Sequence, residues 1–464
     1  MPGLFQGLEI GRRALLTNQL SLQTIGHNIA NVNTPGYSRQ RVDITSTYPE
    51  YNALGAIGTG VTVADINHVR DLFLGAQYQQ ENKSLGQWSY KDKILSEIES
   101  LFNEPNDNTL SDLMNNFWDA WSDLSTNPNS TSSRSAILEQ AHLLTNGFHE
   151  LANQLNNLRS SIDNDLVSMT QEINRLTGEI AKINHQIKSM ELGNDKANDL
   201  RDQRDKLLDD LSKIIDVNTN VDKNGELTVY IGSMSIINGS DTVKVGAKVS
   251  NVDGVITHKL VWEGTSIDLK NTNGQLKGLI DSRDEIIPRY LDKLNTLAGN
   301  LVNQVNSVHS TGYGLNGTTG VNFFDTKYTD AFNIKVNSDI EFDVSKIASS
   351  ASGEVGDNTI ALAIQDLRNK GVLDNNSTTL NDYYNSLVGG MGIEANKAKS
   401  FNSNYELLVK QIEFSRQSVQ GVSLDEEMTN MVKYQHAYDA AARVITSMDQ
   451  ALDTVISRMG IVGR

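Results

Sequence analysis

"SLQTIGHNIANVNTPGYSRQ", residues 21–40, places three different backbone demands next to one another. Leu22, Ile25 and Ile29 recur at three- and four-residue steps, the period of a single helix face. Asn31 and Asn33 then tolerate non-helical geometry, and Thr34 is pushed towards an extended conformation by the proline that follows it. Pro35 and Gly36 suit the first and second central positions of a type II turn, where a fixed negative φ precedes a positive one. From Tyr37 the chain alternates, with Val42 and Ile44 opposite Arg41 and Asp43, which predicts a strand or extended linker. The stretch is expected to end an apolar helix and send the chain into another layer at a defined angle. Arg39 and Arg41 are expected either to pair with acidic groups on adjacent subunits or to sit in a solvated linker.

Outward from this stretch, Leu8, Leu15, Leu22 and Ile29 repeat every seven residues. The other end of the chain carries the same signal, because Leu424, Met431, Tyr438, Ile445, Leu452 and Met459 also repeat every seven positions. Met428, Met448, Val455 and Ile456 widen that stripe. Either stripe alone reads most simply as a core-facing helix. Both lie at chain termini, however, with small or polar spacers such as Gly11, Asn18, Gln435 and Ala442, and such helices gain stability mainly by packing. The assembly interface is therefore expected to comprise Leu8, Leu15, Leu22, Ile25 and Ile29 with Leu424, Met428, Met431, Tyr438, Ile445, Met448, Leu452 and Val455.

Between the termini, apolar residues from Leu151 to Met190 step by three and four, predicting a helix about 60 Å long at ~1.5 Å per residue. Gly193-Asn194 should end it, and Leu200, Leu207, Leu211 and Ile214 should run back as an antiparallel partner. Leu110, Leu113, Phe117, Trp121 and Leu124 read as one core-facing helix, followed by another from about Arg134. From Val217 to about Lys270, short β-type runs alternate with Asn224-Gly225, Asn238-Gly239 and Asp253-Gly254 turns. Helical pattern returns over Leu276–His309, near 359–370 and from Ile393 to Ser418. The expected class is α+β, mainly α: paired N- and C-terminal coiled-coil helices, a long-helix bundle and a small inserted β-rich outer domain. The boundaries are 1–36 with 422–464 for the terminal domain, 37–216 with 271–421 for the rod, including a mixed segment 321–392, and 217–270 for the β insertion.

The formal charge of −17 disfavours nucleic acid and anionic lipid as partners, and the absence of cysteine removes disulfides, thiol nucleophiles and thiolate metal sites. No apolar run approaches the roughly 18–20 residues that span a bilayer, and the first thirty residues lack a secretory signal pattern. No motif for catalysis, cofactor or metal binding occurs, and "GLNGTTG" at 314–320 lacks the lysine of a phosphate loop. His27, His68 and His436 stand without a carboxylate at ligand spacing, and His142 and His149 share a helix face. The acids of "NDLRDQRDKLLDD" interleave with Arg201, Arg204 and Lys206, which predicts a solvated ion-pair face.

The opening stretch resembles the N-terminal signature of the axial proteins of the bacterial flagellum, the rod, hook and hook-associated proteins, and "GVSLDEEMTNMVKYQHAYDAAARVITSMDQALDTVI" resembles their C-terminal counterpart. The signature turn is carried by Asn28, Asn31, Asn33, Thr34, Pro35, Gly36, Tyr37 and Arg39. Within the group, "NDLRDQRDKLLDDLSKIIDVN" and "GQLKGLIDSRDEIIPRYLDKLNTLAGNLVNQVNSVHSTGYGLNG" resemble the hook-associated branch. The resemblance implies a non-enzymatic adaptor joining hook to filament, with terminal helices forming an inner tube. It implies as partners further copies in a homo-oligomeric ring, the hook protein, the next hook-associated junction protein towards the filament, and a cytoplasmic export chaperone on the C-terminal helix. It also implies an extracellular location on the flagellum, reached through the flagellar type III apparatus without a cleaved signal peptide. The alternatives are another axial protein of hook or distal rod and, from a different class, an adhesin or enzyme on a helical stalk.

Overall fold

The computed structural model describes residues 2–52, 55–102, 109–193, 196–222, 225–252, 255–265, 267–373 and 376–458; Asn194, Asn224, Asp253, Gly254 and Met459, singled out above, lie outside them. Helix α1 (Pro2–Ala30) runs into the Asn-rich turn. Strand β1 (Gln40–Ser46) then leads, through a short hairpin of β2 (Glu50–Asn52) and β3 (Gly55–Ile57), into its antiparallel partner β4 (Val61–His68). This ribbon lies back along α1: Asn28 bonds Gln40 at one end, and Gln6 donates to Glu50 at 3.2 Å near the other.

Next come α2 (Leu72–Phe102), α3 (Leu110–Thr126), α4 (Thr131–Glu191) and α5 (Asn198–Ile214). Thr109 and Asp112 form a reciprocal capping box that starts α3, and Ser130 accepts from the Ser133 N–H to start α4. At 61 residues α4 is about 92 Å long at ~1.5 Å per residue. The two helical segments expected from Arg134 and from Leu151 are thus one rod, since no proline occurs between Pro128 and Pro288 to stop it. Helix α5 returns beside it, tied by Arg201 to Glu191 at 2.7 Å.

The β part is a four-stranded antiparallel meander, β5 (Asn218–Val221), β6 (Leu227–Ile231), β7 (Met234–Asn238) and β8 (Asp241–Thr242), followed by the hairpin β9 (Val245–Val252) and β10 (Val255–Trp262). Leu227, Val229 and Ile231 alternate inward. Helix α4 seats these strands through polar bonds: Asn184 donates to Leu227 O and Gly239 O, and Asn174 exchanges bonds with both backbone groups of Val245. One hydrophobic core runs from the rod helices into this sheet without interruption.

After α6 (Gln275–Asp281), a π turn over Ser282–Ile286 precedes Pro288, whose missing N–H cannot continue an α ladder, and α7 (Ile287–His309) follows. The mixed segment forms β11 (Tyr313–Gly314), α8 (Ser338–Phe342), β12 (Ala348–Ser350) and α9 (Thr359–Gln365). Its Phe323 packs edge-on against Trp121 and His309, and both Phe323 and Phe324 pack tilted against Phe117, in the centre of the core. Helix α10 (Leu380–Gln420) starts well before Ile393, capped by Thr379; Gly389, Gly390 and Gly392 blur its periodicity, although Leu380, Tyr384, Leu387 and Met391 are all buried. It runs antiparallel to α2, with Phe401 stacked on Trp88 and Arg416 over Tyr78, each at 4.5 Å. After a three-residue link, α11 (Leu424–Asp453) returns along α1, its first turn carrying Asp425, Glu426 and Glu427, which suit the positive end of the helix dipole.

Candidate assembly face and its anchorage

The two terminal helices pack on each other within one chain, and they do so through small side chains. A Cβ on Gly11 would lie 2.7 Å from Ile445 Cγ1, and one on Gly7 would lie 3.0 Å from Met448. Thr17, Ser21, Thr24, Ile25 and Asn28 are buried along the same side of α1, with Glu427, Ala441 and Leu452 buried on α11. Ser21 and Thr24 donate to carbonyls of their own helix, so their hydroxyls are satisfied inside the seam. The seam is thus centred on Gly7, Ala14, Ser21 and Asn28, one position before the heptad of Leu8, Leu15, Leu22 and Ile29, which sits half-buried on its flank. A seven-residue repeat of small residues beside a leucine repeat is the signal that large-residue periodicity conceals.

On α11, Met431, Ile445, Met448 and Val455 are half-buried towards α1. Leu424, Met428 and Tyr438 point outward at 45%, 61% and 36% exposure, as do Val432 and Ile456. Phe5 and Leu16 do the same on α1. The residues read as one interface therefore divide into an inner seam and an outer apolar row.

The signature turn is a polar latch built around Asn28, which is 1% exposed. Its Oδ1 accepts from Tyr37 Oη at 2.7 Å and Gln40 N at 2.9 Å, while its Nδ2 donates to Gln40 O and to Glu427 Oε2. Asn31 caps the end of α1, donating to His27 O and accepting from Thr34 Oγ1. Tyr37 N returns to Thr34 O at 3.2 Å across Pro35-Gly36, and Gly36 adopts φ +84°, the geometry of a type II turn. Asn33, Thr34, Pro35 and Gly36 are exposed. Burial, followed by the negative charges of Asp199, Asp202 and Glu427, holds the Tyr37 phenol above its ordinary range, so it remains a donor. Arg39 pairs within the chain, with Glu426 at 2.7 Å and Glu427 at 2.6 Å, and Arg41 pairs with Asp43 at 3.0 Å. Within the chain, neither is a free linker charge.

The acidic face of α5 is where the reading of a solvated helix needs correcting. Asp199 meets His27 and Gln40; Asp202 accepts from Ser38 N at 2.7 Å and His68 Nδ1 at 3.0 Å; Asp205 pairs with Arg70; Asp209 meets Arg416 at 2.8 Å. Asp202, Arg204 and Asp209 are buried. His27 and His68 thus do have carboxylate partners, supplied by a helix some 130–170 residues away in sequence and invisible to local spacing. Spaced by three and four, these acids line one side of α5 and bind α1, the turn, β4 and the end of α10 to the rod. Burial outweighs the help of Arg416 and Gln79 and raises the Asp209 carboxyl above its usual range.

A polar groove of about 820 Å³ lies between the signature turn, α5 and the link from α10 to α11. Among the described residues no cluster of three His, Cys, Asp or Glu is placed to hold a metal, and no helix is long and apolar enough to cross a membrane.

Residues 95–324 match the family described as the flagellar hook-associated protein FlgK helical domain. Residues 8–37 match the flagella basal body rod protein family, and residues 414–459 match the C-terminal region of the flagellar basal body rod FlgEFG proteins. The chain is 33% identical to flagellar hook-associated protein 1 of Bacillus subtilis (strain 168), an alignment that covers all of both chains. It belongs to the flagellar hook-associated protein 1 family. The relative from Salmonella typhimurium is 25% identical over 95% of this chain and 97% of its own. The structure of the flagellar hook junction protein FlgK from Burkholderia pseudomallei shares the fold, with a TM-score of 0.65 and 16% identity over 75% of this chain and 100% of that one. This is a family of flagellar structural proteins, and the mainly α architecture with a small β part is its fold.

Proposed function

We propose that the chain is a structural adaptor joining hook to filament, and that copies of it close a ring through their paired terminal helices. The carrying observation is the apolar row left uncovered after the in-chain seam has closed: Phe5 at 61% and Leu16 at 52% exposure on α1, Met428 at 61%, Val432 at 53% and Ile456 at 67% on α11. Each such side chain contributes about 1.5–3 kcal/mol when a neighbour buries it. In this reading residues 1–36 and 422–464 form the inner tube, the rod of 37–216 and 271–421 surrounds it, and 217–270 lies outermost. The hook protein and the next junction protein are its axial neighbours, a cytoplasmic export chaperone covers α11 before assembly, and the exported protein works outside the cell without catalysis.

Met428→Asp combined with Val432→Asp tests this, because both side chains lie off the in-chain seam. The expected result is a chain that folds normally, shown by unchanged amide exchange in both terminal helices and unchanged tryptophan-monitored unfolding of the rest, but does not enter flagella, so that cells carry hooks without filaments. Normal filaments on that double variant would refute the proposal. A second reading, another axial protein of hook or distal rod, has on its side only the rod-type matches at the two ends; immunogold label along the whole hook, in place of a narrow band at its outer end, would support it.

A further inference from the structure

The hairpin of β9 and β10 pairs in one register from Val245↔Trp262 to Val252↔Val255, so alternate residues of β9 turn their N–H and C=O groups away from β10. Val245 is one of these outward residues, because Asn174 takes both of its groups. Ala247, Val249 and Asn251 alternate in step with it and direct theirs along the same edge. None of their backbone groups has a hydrogen bond on that edge among the described residues. The outer edge of β10 is occupied by contrast. His258 N donates to Asp163, His258 O accepts from Arg283, Leu260 O accepts from Leu269 N, and Trp262 N donates to Ile267 O.

An unpaired strand edge is a template for another chain, and proteins commonly blunt such edges with bulges or prolines. Strand β9 has neither. Val249 is 62% exposed at the middle of this edge, and Ile256, its diagonal neighbour on the same face of the hairpin, is 70% exposed. Lys248 and Lys259 face each other on the opposite face.

This edge is complementary to itself. An antiparallel copy with Val249 opposite Val249 sets Ala247 against Asn251 at both ends, so every outward group of the three residues meets a partner, and Lys248 stands opposite Ser250. A slip of two residues one way sets Asn251 against Val245, whose groups Asn174 already holds, and Lys248 against Lys248. A slip the other way carries Ala247 beyond Asn251. We infer that two copies of the chain join edge to edge through β9, forming a continuous antiparallel sheet β10–β9–β9–β10 about a two-fold axis at Val249. A two-fold contact closes on itself, so this pairing joins free chains, is separate from the head-to-tail contact that a ring repeats, and does not rest on the function proposed above. The two Lys248 side chains lie diagonally across the axis, about 7–8 Å apart, and their repulsion is screened by salt.

The chain has no cysteine, so one introduced thiol can link only to its own counterpart in a second copy. Residues directly opposite at this register have Cα atoms about 5.5 Å apart, within the span of a disulfide. Val249→Cys in the purified full chain should therefore oxidise to a linked dimer. Ala247→Cys and Asn251→Cys, each about 14 Å from its counterpart at ~3.4 Å per residue, should remain unlinked. Val249→Pro removes the central outward donor and leaves the bonds to β10 intact. Sedimentation should show its dimer weakened about tenfold, with the fluorescence of buried Trp262 on β10 unchanged. Lys248→Thr should tighten the dimer and reduce its strengthening by salt. A Val249→Cys chain that does not link, thiols that link equally at all three positions, or a Val249→Pro chain that pairs as tightly as the unsubstituted one would overturn the contact, and each of these leaves the junction assignment standing.

Discussion

Asn28→Ala isolates the latch from the rest of the molecule. The side chain makes four hydrogen bonds, two accepted by Oδ1 and two donated by Nδ2, one of these to the carboxylate of Glu427, whose residue is 1% exposed. A buried neutral bond contributes about 0.5–1.5 kcal/mol, and losing a partner of a buried charge costs about 1.5–3 kcal/mol. Discounting for non-additivity among bonds that share one side chain, the latch should weaken by about 3 kcal/mol, roughly a hundredfold in its opening constant. The loss should be confined to the terminal layer, because no hydrogen bond of Asn28 reaches α2–α10. All four tryptophans, Trp88, Trp118, Trp121 and Trp262, lie in the rod and β part, so fluorescence-monitored unfolding reports those alone. Amide exchange followed by mass spectrometry reports both parts. The expected outcome is exchange accelerated by about two orders of magnitude in residues 5–30 and 424–452, with the fluorescence midpoint unmoved. Equal acceleration throughout the chain, or none at the termini, would show that the turn does not hold the terminal helices to one another.

Further outcomes follow from the terminal seam and from the core. Gly11→Val should destabilise the terminal layer by about 1–3 kcal/mol through overpacking against Ile445, and Ile445→Ala in the same chain should recover much of that loss; Gly26→Ala, where the added Cβ meets nothing within 4 Å, should stabilise the helix, as peptide exchange will show. Burial lowers the His309 imidazole to about 4, where Nδ1 donates to Val321 O at 2.7 Å and Nε2 accepts from Ala348 N at 2.9 Å. The unfolded chain takes up this proton first, so His309 contributes its stability fully above about pH 6.5 and loses it as pH falls towards 4, in total about 3 kcal/mol. Denaturant unfolding at several pH values should therefore give a flatter profile for His309→Gln, and parallel profiles would refute the assignment.

What could be read from the chain was the periodic part. The long rod helices, the β-type runs after Val217 and the terminal heptads all announce themselves through large side chains at regular spacing. The helix over Leu72–Phe102 does not, because its first half buries Asn82, Lys83 and Gly86 in place of aliphatic residues. The acidic face of α5 misled for a related reason. Asp199, Asp202, Asp205 and Asp209 have the spacing of a solvated ion-pair helix, and only the fold reveals that their partners are His27, Ser38, His68, Arg70 and Arg416. Local charge balance carries no information about partners far away in sequence. The turn was legible because proline and glycine constrain backbone directly, whereas Asn28, two residues before the helix ends, gave no hint that it would organise the latch.

The division of the terminal stripes into an inner seam and an outer row has an energetic reason. A seam of Gly7, Gly11, Ser21 and Asn28 lets the helices approach closely but buries little apolar area, so the pairing within one chain is weak for its length. The larger side chains, Phe5, Leu16, Met428 and Val432, are held back on the outside, where only another molecule can cover them. Had the leucines occupied the centre of the seam, a single chain would have satisfied itself and kept less surface for a neighbour. Small residues within and large residues without therefore give a pair of helices that closes weakly within one chain and keeps the apolar row that the proposed assembly needs, with Asn28 and the α5 carboxylates fixing the direction in which that row faces.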